Sequence, residues 1–182
     1  MFVRKDRRLK NYNYNGYGPY FITICTDNRQ KLFGKIQDDE FIYYSKELEN
    51  LFKNTYSKIE NEFLGVKFNV ECTMPDHVHF IVSNASDGKY NLSDIVSRFK
   101  NLIYVDYKIL VQNKFAPQYV DRFWQRDFYD HIIRNDKEME DCYNYVENNP
   151  RAASFKILLK KWDREAEIEK QKLKNINKNN HI

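Results

Sequence analysis

The order of predicted strands and helices indicates an α+β fold of the ferredoxin-like type, a βαββαβ sandwich built on an antiparallel sheet. Three observations lead to this prediction. A segment of β-forming residues near the start precedes an amphipathic helical pattern. An alternating strand pattern is followed, after a Pro-Asp turn, by a second strand pattern. A second amphipathic helix then precedes an aromatic-rich segment, and a further C-terminal helix follows these six elements.

The first strand and the first helix are predicted from local composition and spacing. Residues 20–26 (YFITICT) are dense in β-forming side chains, which favours a buried strand. Between residues 44 and 56 the apolar residues fall on one face of a helix, at Tyr44, Leu48, Leu51, Phe52 and Tyr56.

A β-hairpin is predicted in the middle of the chain. Residues 66–74 alternate between apolar and polar side chains, as in a half-buried strand. The predicted apolar side consists of Val66, Phe68, Val70, Cys72 and Met74. Pro75 and Asp76 suit the centre of a tight turn, because proline fixes φ, and residues 77–83 form the return strand.

The second half supplies two helices and at least one strand. Apolar residues recur at helical spacing from Leu92 to Ile103, with Asn91 or Ser93 available as the N-cap. Residues 119–133 are aromatic-rich and are expected to hold one or two strands. A last helix is expected to start at a cap on Asp136 and to run to about residue 148, before Pro150.

Length and composition predict one globular domain. The chain has 182 residues, of which 42% are hydrophobic, and a net charge of +4, which permits but does not require a nucleic-acid partner. The three cysteines form no CxxC pair, and no apolar run reaches membrane-spanning length. We therefore expect a cytoplasmic protein without a membrane partner. The expected domain covers residues 20–159, between a basic, Asn/Tyr-rich arm (1–19) and a Lys-rich tail (160–182).

Two histidines form the strongest local signal. His77 and His79 are separated by one residue on a predicted strand, so their side chains point to the same face. Two imidazoles in this arrangement can chelate a divalent cation. The alternative is a pair of surface histidines on a sheet edge, which is the more frequent meaning of a bare His-x-His. Only four histidines occur in the chain, and the concentration of two in one apolar strand favours the metal site.

The last helix offers a candidate nucleophile. Its apolar stripe contains Met139, Cys142, Tyr143 and Val146, so Tyr143 is predicted to be a core residue. Tyr145 lies off that stripe and projects together with Asn149, one turn later. A phenol becomes a useful nucleophile toward a phosphodiester when a metal polarises the phosphate. Two histidines and an amide oxygen would suit Mg²⁺ or Mn²⁺, and the histidines also tolerate other transition metals. The alternative is an ordinary, partly exposed tyrosine.

Basic residues near aromatic residues suggest contacts with single-stranded nucleic acid, in which bases stack and phosphates pair with cations. For any one of these residues, a solvated surface position is the simpler interpretation. The candidate contacts are Arg98, Lys100, Arg122, Arg126 and Arg134, with Trp124 nearby.

Three segments in order resemble the transposases of the IS200/IS605 type, and most closely the branch of REP-associated tyrosine transposases. Residues 73–80 (TMPDHVHF) are similar to its Met-Pro-Asn-His-Val-His motif, with Asp76 where asparagine is frequent. Residues 123–135 (FWQRDFYDHIIRN) are similar to its Trp-Gln…Phe-Tyr-Asp…Ile-Arg segment. Residues 145–153 (YVENNPRAA) are similar to its Tyr-Ile-x-x-Asn-Pro-x-x-Ala signature.

The resemblance implies a ferredoxin-like fold, with His77 and His79 as metal ligands, Asn149 as the third ligand and Tyr145 as the nucleophile. It implies cleavage and rejoining of single-stranded DNA near hairpins, such as REP-like palindromes, through a 5′-phosphotyrosine intermediate and with Mg²⁺ or Mn²⁺. It further implies a prokaryotic, nucleoid-associated protein that acts as a monomer or a homodimer.

Two other functions stay open at the level of sequence. The protein could be a domesticated hairpin DNA- or RNA-binding protein that no longer cleaves. It could also be an unrelated metal hydrolase that uses His77 and His79, with Tyr145 in a structural role. A covalent protein–DNA adduct distinguishes the transposase from both.

Overall fold

A computed structural model describes residues 18–149. The predicted arm and tail lie outside the described residues, except for Gly18 and Pro19. The described elements, in chain order, are β1 (Gly18–Cys25), β2 (Gly34–Gln37), β3 (Glu40–Tyr43), α1 (Lys46–Glu62), β4 (Val66–Met74), β5 (His77–Asn84), α2 (Leu92–Gln112), β6 (Tyr129–Ile132) and α3 (Asp136–Glu147). No helix in this range is both long and apolar enough to cross a membrane.

The central sheet has the strand order β4-β5-β1-β6, and every pair of neighbours is antiparallel. With α1 and α2 between the strands in sequence, this is the ferredoxin-like βαββαβ order, so the predicted fold class is confirmed. The segment 119–133 contributes only the single strand β6. An additional hairpin, β2–β3, forms a separate two-stranded sheet between β1 and α1, and it was not predicted.

One face of the sheet packs against α1 and α2 and forms the core. Alternate residues of the two central strands, such as Ile22 and Phe80, belong to this apolar cluster. Helix α1 contributes Phe52, and helix α2 contributes Phe99 and Tyr107. The Tyr107 hydroxyl donates a hydrogen bond of 3.0 Å to the carbonyl of Leu32, which satisfies its polar group inside the core.

Polar side chains cap the three helices. Ser45 and Asn91 accept hydrogen bonds from the first turns of α1 and α2, and the prediction for Asn91 is confirmed. The cap of α3 was wrong by one residue: Asn135, not Asp136, adopts the extended conformation and accepts from Glu138 N at 2.9 Å. Asp136 is instead in the first turn, where its negative charge interacts favourably with the helix dipole.

A β-bulge in β4 corrects the predicted alternation of that strand. Phe68 lies opposite Val82, but the next paired residue is Val70, opposite Ile81, so Asn69 is an extra residue. Residues directly opposite each other share a face. Before the bulge, Val66 and Phe68 therefore face the core. After it, Val70, Cys72 and Met74 face the other side of the sheet, so the five residues do not share one side as predicted.

Candidate active site

His77 and His79 lie on the face of the sheet that is opposite the core. The same-face prediction is confirmed, because their Nε2 atoms are 3.0 Å apart. Both belong to β5, a central strand, between β1 and β4. His79 is buried, and burial lowers its pKa well below the usual value, which keeps the imidazole neutral, as a metal ligand must be.

The Nδ1 atom of each histidine is occupied by a neighbouring polar group. His77 Nδ1 contacts a carboxylate oxygen of Asp76, and His79 Nδ1 is 2.8 Å from Thr23 Oγ1. When Nδ1 carries the proton, the Nε2 lone pair is available as a ligand. The two side chains are therefore oriented with both Nε2 atoms toward one point.

Tyr145 lies next to this pair. Its hydroxyl is 3.5 Å from His79 Nε2, and its ring packs edge-on against His79 and Phe21. The side chain is only 8% exposed, and burial raises its pKa above the usual value. The phenol is therefore protonated at neutral pH.

The buried face of α3 differs from the predicted apolar stripe. Tyr143, predicted to be a core residue, is 39% exposed, whereas Tyr145, predicted to lie off the stripe, is buried with Cys142 and Val146. The physical reason is that α3 packs against the histidine face of β4 and β5, where polar groups are present, instead of against the main core. This packing places Tyr145 next to the histidines.

Asn149 follows one turn after Tyr145 and is also buried. Its backbone oxygen accepts from the Cys72 thiol at 3.4 Å, and Cys72 lies opposite His79 on the neighbouring strand. Its Nδ2 is buried without a hydrogen-bond partner among the described residues. The two ends of an amide have nearly the same shape, so the opposite rotamer places an oxygen acceptor at this position.

These donors fit a divalent cation. Two ligands at about 2.1 Å from a metal with octahedral geometry are about 3.0 Å apart, the separation of the two Nε2 atoms. The buried Asn149 amide, turned so that its oxygen replaces the unpaired Nδ2, would be a further oxygen donor. Among residues 18–149, no group of three or more His, Cys, Asp or Glu side chains could hold a metal, so the remaining ligands would be Asn149, water or substrate.

Arg29 is a site residue that the sequence did not reveal. Its Nε is 2.9 Å from Asp76 Oδ2, and its Nη1 donates to Cys25 Sγ at 2.8 Å. The Asp76 backbone carbonyl also accepts from Thr26 N and Thr26 Oγ1, both at 2.9 Å. Burial alone would raise the pKa of Asp76, but the contacts with His77 and Arg29 hold it below its usual value. Asp76 is thus an anionic bridge between Arg29 and His77.

The five predicted nucleic-acid contacts are not brought together. Arg98 pairs with Glu62 at 2.9 Å, and Arg134 is 3.9 Å from Glu138. The remaining three line one groove beside Trp124, and they are Lys100, Arg122 and Arg126.

The family model described as "Transposase IS200 like" matches residues 18–149. Together with the fold, this match shows that the chain belongs to the IS200-like transposase family. Within this family, two curated proteins of Haemophilus influenzae (strain KW20 / Rd) are similar. An uncharacterized protein is 32% identical over 169 residues, covering 81% of this chain and 88% of its own length. A protein with the provisional name REP-associated tyrosine transposase is 24% identical over 160 residues, covering 85% and 83%.

A solved structure also resembles the chain. It is a REP-associated tyrosine transposase bound to a REP hairpin, with a TM-score of 0.56 and 19% sequence identity. The match covers 79% of this chain and 72% of that chain. At this level of identity the comparison establishes the shared fold.

Proposed function

We propose that this protein cleaves and rejoins single-stranded DNA near hairpins, with Tyr145 as the nucleophile. The observation that carries the proposal is the position of the Tyr145 hydroxyl, 3.5 Å from His79 Nε2, at the point where the two histidines converge. A catalytic tyrosine must be close to the group that binds the reacting phosphate, and this arrangement meets that requirement.

His77, His79 and Asn149 would hold Mg²⁺ or Mn²⁺. When bound, such an ion supplies Lewis-acid stabilisation for the charge that develops on the phosphate oxygens. The protein's contribution is to fix the ligands. Asp76 and Thr23 orient the imidazoles, and the sheet keeps both on one face.

In the proposed step, Tyr145 Oη forms a bond to phosphorus while the bond between phosphorus and O3′ breaks. The phenolic proton is released to solvent. O3′ leaves with the bonding electron pair and takes up a proton from water, which gives a free 3′-OH and a 5′-phosphotyrosine. The reverse attack by a 3′-OH reseals the strand and releases Tyr145. Burial keeps the phenol protonated in the free protein, so the proton must leave as the reaction proceeds.

The proposed substrate is single-stranded DNA that carries a hairpin. The solved relative is bound to a REP hairpin, and a REP-like palindrome is the substrate we propose for this chain. A continuous duplex would shield and stiffen the phosphodiester that must reach a tyrosine packed against a sheet. Of the predicted DNA contacts, Arg122 and Arg126 are exposed and line the groove beside Trp124.

The test compares Tyr145→Phe with its matched control Tyr143→Phe on the same helix. Tyr145→Phe removes one oxygen and keeps the ring, so it should eliminate the covalent protein–DNA adduct on a denaturing gel. DNA binding should survive, because other residues contact the strand. Tyr143 is exposed, so its phenylalanine variant should form the adduct normally.

The same assay with a chelator tests whether adduct formation requires a metal ion. EDTA should abolish the adduct, and added Mg²⁺ or Mn²⁺ should restore it. Persistence of the adduct in Tyr145→Phe would refute the nucleophile. Full activity in EDTA would refute the metal site, and hairpin binding by the wild type with no adduct on any substrate would favour the domesticated binding protein.

A further inference from the structure

A groove of about 540 Å³ lies outside the tyrosine–histidine site. Its walls combine aromatic rings with three cationic side chains and one carboxylate. The lining includes Lys100, Tyr119, Arg122, Phe123, Trp124 and Arg126. This combination is complementary to unpaired nucleic acid, which offers both an anionic backbone and flat base faces.

The groove is built on fixed aromatic residues. Trp124 is buried, and its Nε1 donates to the carbonyl of Lys100 at 3.0 Å. Phe123 packs edge-on against Trp124 and also against Tyr119, with ring centroids 4.9 and 5.3 Å apart. The Tyr119 hydroxyl donates to that of Tyr104 at 3.3 Å. Tyr119 is thereby held with part of its ring accessible.

The cations differ in their roles. Two N–H groups of Lys100 donate to the carbonyls of Gln125 and Arg126, at 2.7 and 3.1 Å, so Lys100 fixes the wall of the groove. Arg122 and Arg126 are exposed, and neither has an ion pair with a described residue. Their guanidinium groups are therefore available for phosphates, unlike those of Arg98 and Arg134, which pair with carboxylates.

The groove lies at the end of the sheet that carries His77. Gln125 N donates to Cys25 O at 2.9 Å, and Thr26 and Trp124 form a bridge, so this wall runs beside the end of β1. Cys25 is the cross-strand partner of His77. The backbone of this wall is thus two strand spacings, about 10 Å, from the strand of the histidines. The groove also includes Lys100 and Tyr104 of α2, which covers the face opposite the histidines, so a bound strand would pass around this end of the sheet to reach Tyr145.

We infer that this groove binds the unpaired DNA that flanks the hairpin, with a base stacked on Tyr119 and the backbone phosphates at Arg122 and Arg126. The inference rests on the proposed function, because it assigns a subsite for the same substrate. The groove would hold the single strand on one side of the phosphodiester that reaches Tyr145. It would therefore contribute affinity only for substrates that have an unpaired flank.

Binding is measured by fluorescence anisotropy in the Tyr145→Phe background, where no adduct can form. One hairpin is used in two forms, with and without a single-stranded flank. The variant Arg122→Ala/Arg126→Ala should lose the affinity gained from the flank and should bind the flankless hairpin normally. Its log–log salt dependence for the flanked hairpin should fall by about 1.4, from about 0.7 per phosphate contact on a single strand.

The matched control is Arg98→Ala/Arg134→Ala, which removes the same charge outside the groove and should keep the contribution of the flank. Tyr119→Ala should weaken binding to the flanked hairpin on the order of 5- to 150-fold, the loss of one base stack. Tyr119→Phe keeps the ring and should retain affinity.

Equal losses for both hairpin forms, or equal effects of the two arginine pairs, would overturn the subsite. This outcome is separate from the fate of the proposed function. The adduct assay with wild-type protein can fail while the flank still contributes to binding, and the reverse is equally measurable.

Discussion

The Nδ1 contacts of His77 and His79 decide which nitrogen each ring presents at the site. Thr23 lies on the strand beside His79, and Asp76 occupies the turn just before His77. Such outer partners fix both the tautomer and the ring orientation. Arg29 adds one more residue to this set, because it pairs with the Asp76 carboxylate that contacts His77 Nδ1.

Arg29 is therefore expected to act as a positioning residue for the proposed metal site. Arg29→Ala should weaken Mn²⁺ binding to the DNA-free protein about 10-fold, the lower end of the effect of losing an outer partner. Titration followed by electron paramagnetic resonance measures this directly. Arg29→Lys keeps a cation near Asp76 and should give an intermediate affinity.

Lys31→Ala is the control, since it removes a charge at an exposed position of the same loop. A purely structural role for Arg29 predicts a lower melting temperature with unchanged Mn²⁺ affinity. That result would exclude the positioning role.

The sequence predicted which side chains of the site would lie close together, but it did not predict the contacts that orient them. His77, His79, Tyr145 and Asn149 were all selected, and the structure places them in one region, while their chemical roles stay proposals. Arg29 was missed because its partner lies 47 residues later in the chain, at Asp76. No local spacing reports such a contact.

Among the elements, the β2–β3 hairpin shows how strand pairing can escape sequence patterns. Its strands have four residues each, and two residues, Asp38 and Asp39, connect the paired ends. Both have positive φ values, 52° and 60°, as a type I′ turn requires. The usual signal for this turn is Asn-Gly or Asp-Gly, and the Asp-Asp sequence lacks the glycine.

Gly34, at the start of β2, is expected to be essential for this hairpin. A Cβ at this position would lie 2.1 Å from the carbonyl oxygen of Ile42 and 2.7 Å from the ring of Phe41. Gly34→Ala should therefore lower the free energy of unfolding by about 1–3 kcal/mol, as overpacking does.

Urea denaturation measures the change, and Lys35→Ala, an exposed substitution on the same strand, is the control. A Gly34→Ala midpoint equal to that of the control would show that β3 moves away without cost.

The bulge in β4 was not predictable for a different reason. Apolar residues at both Phe68 and Val70 satisfy the alternation whether or not an extra residue is present. Only the pairing with β5 shows that Asn69 moves the second half of the strand to the other face. Cys72 consequently lies beside His79 and donates to the carbonyl of Asn149, just after α3, instead of entering the core.

In the described domain, the two faces of the central sheet have different roles. The face covered by α1 and α2 carries the continuous apolar cluster. The opposite face carries the histidines, and α3 brings Tyr145 to it. The fold class could be predicted from the sequence because the face covered by α1 and α2 is built from apolar residues at strand and helix spacing. The buried face of α3 could not be predicted in this way, because a helix that packs on polar groups buries residues that apolar spacing does not identify.

The apolar cluster contains no residue of α3, although Cys142, Tyr145 and Val146 are buried. Elements with few core contacts open locally at a lower free energy than global unfolding. In native-state hydrogen exchange, the amides of α3 should therefore exchange faster than those of β1 and β5, and their exchange should depend weakly on denaturant. Equal protection of all three elements would mean that α3 opens only with the whole domain. Local opening would let Tyr145, the proposed nucleophile, withdraw from the histidines and return while the rest of the domain stays folded.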